Sequence, residues 1–136
     1  MKKIIFLCLV LSVLLIGCTN PLTKLNPSPL KIIDTKVTTK TNYGIVEKEF
    51  QVFVENVSDK EIIAYKVNIK GYNSFDEHIT INFSDVFQGI VQNVNIKPNE
   101  IYGYNSYWSS VYANTVNYIK AEITEVKFAD GSKWTK

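Results

Sequence analysis

The sequence is short of the residues that usually carry chemistry: it has no arginine, one histidine and two cysteines in 136 residues. Without arginine there is no bidentate contact to phosphate or guanine, and no basic run takes its place, so a nucleic-acid partner is not expected. The single histidine, His78, sits in the polar stretch Ser74-Phe75-Asp76-Glu77-His78. With no Gly-x-Ser-x-Gly elbow beside it, a nucleophile–histidine pair lacks its other parts, and His78 reads as a solvated loop residue. Both cysteines, Cys8 and Cys18, fall in the first 18 residues. Beyond them no disulfide and no thiolate metal site can form. A second long apolar run is also missing: after the first, nothing approaches the roughly 18 residues of a spanning helix.

What is present begins with the first zone of the chain. Lys2 and Lys3 precede an almost wholly apolar run, Ile4 to Ile16, which closes on Leu15-Ile16-Gly17-Cys18. A charged start, an apolar stretch too short to span and a small residue before the cut describe a secretory signal. The closing tetrapeptide resembles the lipobox of bacterial lipoproteins. That resemblance implies removal of residues 1–17 and a diacylglyceryl group on Cys18. Two acyl chains of the palmitate kind would hold the protein stably on a membrane, whereas one chain binds only marginally. Residues 18–30 contain Pro21, Pro27 and Pro29 among Asn, Ser and Thr, a composition that favours extended backbone and reads as a tether. The expected location is the extracytoplasmic face of a cell membrane. The lysine-only basic set, with many Asn and Ile, looks like an AT-rich genome of the Gram-positive kind.

Once Lys2 and Lys3 are gone, 13 lysines balance 13 acidic residues, so the mature side chains carry no net charge. Residues 31–136 suffice for one domain. Phe50, Val52 and Val54 alternate with Gln51, Phe53 and Glu55 in the period-two pattern of a half-buried strand. The polar cluster Asn56 to Lys60 follows as a turn, and Ile63, Tyr65, Val67 and Ile69 are placed inward on the next run. Together they read as an antiparallel hairpin. Ile32 to Val37 makes a first strand, and Gly89 to Ile96 offers Ile90, Val94 and Ile96 to the core. Ile101 to Trp108 reads as one strand, and Asn73 to Phe87 as an irregular stretch crossing between sheets. Ile119, Ala121 and Ile123 share one parity and Val126 and Phe128 the other, which predicts a bulge near Thr124 or Glu125. Asp130-Gly131 then predicts a tight hairpin returning Trp134 beside Phe128.

No stretch of ten residues shows helical periodicity, and β-branched and aromatic residues dominate. The expected class is an all-β antiparallel sandwich of about seven strands. The pieces Phe50-x-Val52-x-Val54-x-Asn56, Ser58-Asp59-Lys60-x-Ile62, Tyr72-Asn73, Lys97-Pro98-Asn99-Glu100 and Phe128-Ala129-Asp130-Gly131-x-x-Trp134 resemble a family of secreted bacterial domains of unknown function. Those domains are similar to immunoglobulin or fibronectin type III sandwiches. The resemblance implies that fold, no activity and no functional residue.

Candidate chemistry is thin. Glu47 and Glu49 point to one face of a strand, and Glu122 also carries a carboxylate, yet neither a calcium loop nor a His-bearing motif accompanies them, so no metal and no cofactor are expected. Asn56-Val57-Ser58 matches a glycosylation acceptor and reads instead as a turn. Tyr102, Tyr104, Tyr107, Trp108 and Tyr112 form the densest aromatic group, able to meet a protein partner or to stack on a glycan where exposed. The functional expectation is a non-enzymatic, membrane-anchored interaction module of the cell envelope. Its alternatives are a carbohydrate-binding module and an accessory subunit of an envelope complex.

Overall fold

The computed structural model describes residues 26–136. The expected signal segment, Cys18 and most of the expected tether lie outside the described residues. Nine strands follow in chain order: β1 (Leu30–Asn42), β2 (Ile45–Asn56), β3 (Ile62–Tyr72), β4 (His78–Ile79), β5 (Phe87–Ile96), β6 (Ile101–Tyr102), β7 (Trp108–Ser110), β8 (Tyr118–Phe128) and β9 (Lys133–Thr135). All pair antiparallel, in two sheets that face one another as a sandwich. In the first sheet β2 is central, with β1 along one side and β6 then β7 along the other. In the second β3 is central, flanked by β8 on one side and by β5 and β4 on the other, and β9 joins β8.

The inner faces follow from period-two patterning interrupted by bulges. In β2, Phe50, Val52, Val54 and Asn56 all point inward without a break. In β1 the register slips at Ile33, so Leu30 and Ile32 face the core on one parity and Thr35 and Val37 on the other. In β8 the extra residue is Thr124, between the pairs Lys66↔Glu125 and Val67↔Ile123, where the parity change in the sequence predicts it. The core gathers Phe50, Val52 and Val54 against Ile62, Val67, Ile69, Ile123 and Val126, with Tyr65 among them.

β2 and β3 are not a hairpin, because they belong to opposite sheets. The partner of β2 is β1, joined through the two-residue turn Tyr43-Gly44. A polar turn cluster looks the same in sequence whether the chain returns beside the strand or crosses to the other layer. Ile63 is not inward: a bulge at that residue puts Ile62 and then Tyr65 in the core. In β5 the core takes Val91 and leaves Ile90 exposed, since the strand reaches its Ile62↔Ile96 pair only after an irregularity at Asn93, which adopts φ 56°.

Among the described residues strands number nine where about seven are expected, partly because the expected Ile101–Trp108 strand is cut in two at Gly103. That residue has φ 128°, and a Cβ there would stand 2.5 Å from the Val52 carbonyl oxygen. The Asn73–Phe87 stretch does not cross between sheets; it leaves and rejoins the same edge of β3. Trp134 pairs opposite Val126 rather than Phe128, and its indole donates to the Asn26 carbonyl at 3.1 Å. Leu30, placed in the tether by composition, opens β1 and is buried.

Candidate functional site

The topology sorts the turns onto two ends. The chain enters at one, where the Pro29 carbonyl accepts from the Val57 amide at 2.9 Å. The β2–β3, β5–β6 and β8–β9 turns share this entry end. At the far end lie the β1–β2 turn, the 73–86 excursion and the 111–117 loop.

At the entry end polar groups are consumed internally. Asn56 is fully buried and fully bonded. Its amide donates at 2.8 Å to both the Lys60 and Ile96 carbonyls, and its Oδ1 accepts from the Ser58 amide at 3.0 Å and hydroxyl at 2.7 Å. One side chain thereby joins three segments across the two sheets. Lys60 pairs with Asp130 at 2.7 Å. That ammonium first, and the Ser132 hydroxyl and amide next, hold the Asp130 carboxyl well below its ordinary range. Positive φ falls here on Asn99 and Gly131, residue types that accept it readily.

The far end is built differently. Asn42 and Ile45 pair across a two-residue turn whose residues, Tyr43 and Gly44, adopt φ 50° and 80°. Ile81 and Ser84 exchange both backbone hydrogen bonds at 3.0 Å around Asn82 and Phe83, with φ 52° and 63°. Positive φ at both central residues marks type I′ hairpin turns, which favour Asn-Gly. Here one has Tyr where Asn is favoured and the other Phe where Gly is favoured. Holding a bulky residue in the left-handed region costs of order 1–3 kcal/mol. Both rings lie at the surface, Tyr43 fully exposed and Phe83 80 % exposed.

Cross-links join the 81–84 turn, the 111–117 loop and the start of β2. The Phe83 and Tyr112 rings meet at 4.8 Å, and the Ser110 hydroxyl donates to Asn82 Oδ1 at 2.6 Å. The Asn114 amide, turned with its nitrogen toward them, donates to the carbonyls of Val46 at 3.3 Å and Val111 at 3.2 Å. Ile45, Val46 and Val111 add exposed aliphatic surface. Exposed apolar groups gathered in this way mark interaction sites more often than scattered single ones. On one side of this surface the 73–86 excursion carries Asp76, Glu77 and Asp85 and no lysine. Asp76 accepts from the Tyr118 hydroxyl at 2.7 Å and Glu77 from the Asn73 amide at 2.7 Å. Among the described residues no lysine pairs with any of the three.

The aromatic group singled out from the sequence is split. Tyr102 turns inward, edge-on to Tyr65 at 6.3 Å. Trp108 lies across Gly89, where a Cβ would stand 2.7 Å from the indole, and meets Phe87 at 6.5 Å. Tyr104 and Tyr107 are exposed on the first sheet, the former edge-on to Phe53 at 5.3 Å and the latter under Lys40 at 5.5 Å. Tyr112 alone of the five joins the far-end surface. Tyr43 and Phe83 lie outside that aromatic group, although Asn42-Tyr43-Gly44 between two alternating runs carries the signal of a tight turn.

The remaining candidates are not assembled into a site. His78 is exposed, with Nε2 2.8 Å from the Asp85 carbonyl oxygen. Glu49 is taken by Lys40 at 2.7 Å, and Glu122 pairs with Lys136. Among the described residues no three His, Cys, Asp or Glu side chains gather as metal ligands. Cys18 lies outside the described residues.

These features define an antiparallel β-sandwich with one end whose turns are bonded internally through Asn56 and Lys60–Asp130 and one apolar, loop-built end. The chain belongs to a family of unknown function, DUF5780, whose model matches residues 49–136. Phe83 and Tyr112 fall inside the match and Tyr43 before it. The chain is also similar to a hypothetical protein from Peptoclostridium difficile 630, seen in a 1.85 Å X-ray structure, at a TM-score of 0.55 and 14 % identity over 81 % of this chain and 87 % of that one. At that identity the likeness concerns the fold. No curated protein matches the sequence.

Proposed function

We propose that this chain is a membrane-anchored extracytoplasmic lipoprotein, lipidated on Cys18, whose immunoglobulin-like domain is a non-enzymatic interaction module of the cell envelope. The observation that supports it is the polarity of the domain: the chain enters at the end opposite the apolar loops, so an anchor at Cys18 leaves the apolar end farthest from the membrane. From Cys18 to Asn26 the chain reaches at most about 27 Å, and an eleven-residue strand such as β3 adds about 36 Å. A partner in the envelope is then met by the far end.

Mass spectrometry of the N-terminus, with membrane fractionation of wild type and Cys18→Ser, tests the anchor. A diacylglyceryl cysteine and release of the variant from the membrane are expected; an unlipidated N-terminus overturns the anchored reading. A carbohydrate-binding module is the second reading, favoured by Tyr104 and Tyr107, both exposed in the loop between β6 and β7. Glycan-array binding lost on Tyr104→Ala and Tyr107→Ala would replace the protein-contact reading. Stable co-purification with a larger envelope assembly would make the module an accessory subunit of it.

A further inference from the structure

We infer that the far end is a docking surface for a protein whose own apolar patch is rimmed by lysine or arginine, with Tyr43, Phe83 and Tyr112 as its anchors. The inference rests on the interaction-module reading and names the surface and the partner chemistry. Three observations carry it. Two tight turns at the same end hold aromatic rings outward against the backbone preference of those turns. Contacts between Phe83 and Tyr112 and between Ser110 and Asn82 join the 81–84 turn to β7 and the 111–117 loop, and the Asn114 amide reaches the Val46 carbonyl on β2, the strand that the Tyr43-Gly44 turn opens. The acidic excursion with Asp76, Glu77 and Asp85 borders the 111–117 loop; Asp85 faces the His78 ring at 4.0 Å, and among the described residues no lysine lies within ion-pairing distance of the three.

Charge and shape choose among occupants. An anionic lipid surface would be repelled by the three carboxylates, and a second copy docking end to end would set the same carboxylates against each other. A glycan needs an open aromatic face ringed by hydrogen-bonding groups, whereas here Phe83 leans on Tyr112, and the open Tyr43 ring is followed along the chain by the exposed aliphatic Ile45 and Val46. An apolar protein surface with a basic rim satisfies both halves: aromatic anchors fill its pockets, and its cations face the acidic loop.

Two amphipathic peptides with the same leucines, one bearing lysine and the other glutamate, serve as probes for the full lipidated protein in phosphatidylcholine nanodiscs. The lysine peptide is expected to bind and to perturb the resonances of Tyr43, Phe83 and Tyr112, and the glutamate peptide to bind about tenfold more weakly or not at all. Tyr43→Asn suits the type I′ turn better, so it should weaken the lysine peptide about tenfold without lowering the melting temperature. Equal binding of the two peptides, perturbation confined to other surfaces, or undiminished binding by Tyr43→Asn would overturn the inference. So would binding of the wild type to phosphatidylglycerol vesicles through these rings, or its dimerisation through them. In intact cells, a photo-crosslinker replacing Tyr43 should join a protein at a site flanked by lysine or arginine, while one replacing Lys97 at the entry end should not. Capture through Lys97 alone would overturn the far-end surface and leave the interaction module standing, and an unlipidated Cys18 would remove the anchor while the peptide result still decides the surface.

Discussion

The two ends of the sandwich obey different rules. At the entry end each special backbone position is filled by a residue that suits it, Asn99 and Gly131, and the buried Asn56 has all its hydrogen bonds met inside the protein. At the far end two turns of the same tightness carry Tyr43 and Phe83 in conformations that asparagine or glycine would adopt more easily. One end is arranged for stability, and the other retains local strain while presenting apolar rings to solvent. Strain of that kind persists only where the surrounding structure over-determines it. Here the paired strands β1 and β2, and the Ile81–Ser84 bridge over the buried Ile81, do so.

The comparison breaks most readily at Asn56. Asn56→Ala strips partners from the Lys60 and Ile96 carbonyls and from Ser58, and a loss of about 3 kcal/mol in urea unfolding is expected. A much smaller loss would mean that the entry end does not depend on its buried amide. The opposite sign is expected at the far end: Phe83→Gly relieves the turn and should raise stability by about 1 kcal/mol while removing a docking ring. Should it destabilise instead, Phe83 belongs to the packing and the contrast between the ends fails.

Between the ends lies Tyr65, whose hydroxyl is the buried side-chain polar atom without a partner among the described residues. Tyr65→Phe should be neutral or stabilising by up to about 1 kcal/mol. Burial, and then the nearby Tyr102, push the Tyr65 phenol up from its ordinary 10.0, so the folded state retains a proton that the unfolded chain releases. That stabilising share is complete below pH 10 and is lost as pH climbs above it. Tyr65→Phe should therefore flatten the alkaline side of the melting curve against pH.

The smallest effect belongs to the exposed Lys60–Asp130 pair. Its depressed carboxyl contributes above the ordinary carboxylate range and loses that contribution as pH falls through it, so Asp130→Asn should lower the melting temperature slightly at neutral pH and negligibly in acid. An equal loss at both values would point to the Ser132 hydrogen bonds rather than to charge.

Local regularity was legible in the residues. The unbroken alternation of β2, the parity change that becomes the bulge at Thr124, and the Asp130-Gly131 turn each depend on neighbours a few positions apart. Less was legible at the candidate site. A dense run of aromatics from Tyr102 to Tyr112 drew notice, yet Gly103 bends the chain against β2, Tyr102 and Trp108 go inward and only Tyr112 reaches the far end. Tyr43 and Phe83, forty residues apart, showed no such density.

By itself the sequence determined the all-β class, the antiparallel strand grammar and the balanced charge of residues 18–136, because period-two patterning and turn residues act over short separations. Tertiary structure alone decided that β2 and β3 part to opposite sheets and that β1 pairs with β2. It also decided which aromatic rings are exposed together, since that depends on which layer each strand joins, a choice made by packing between residues far apart in the chain.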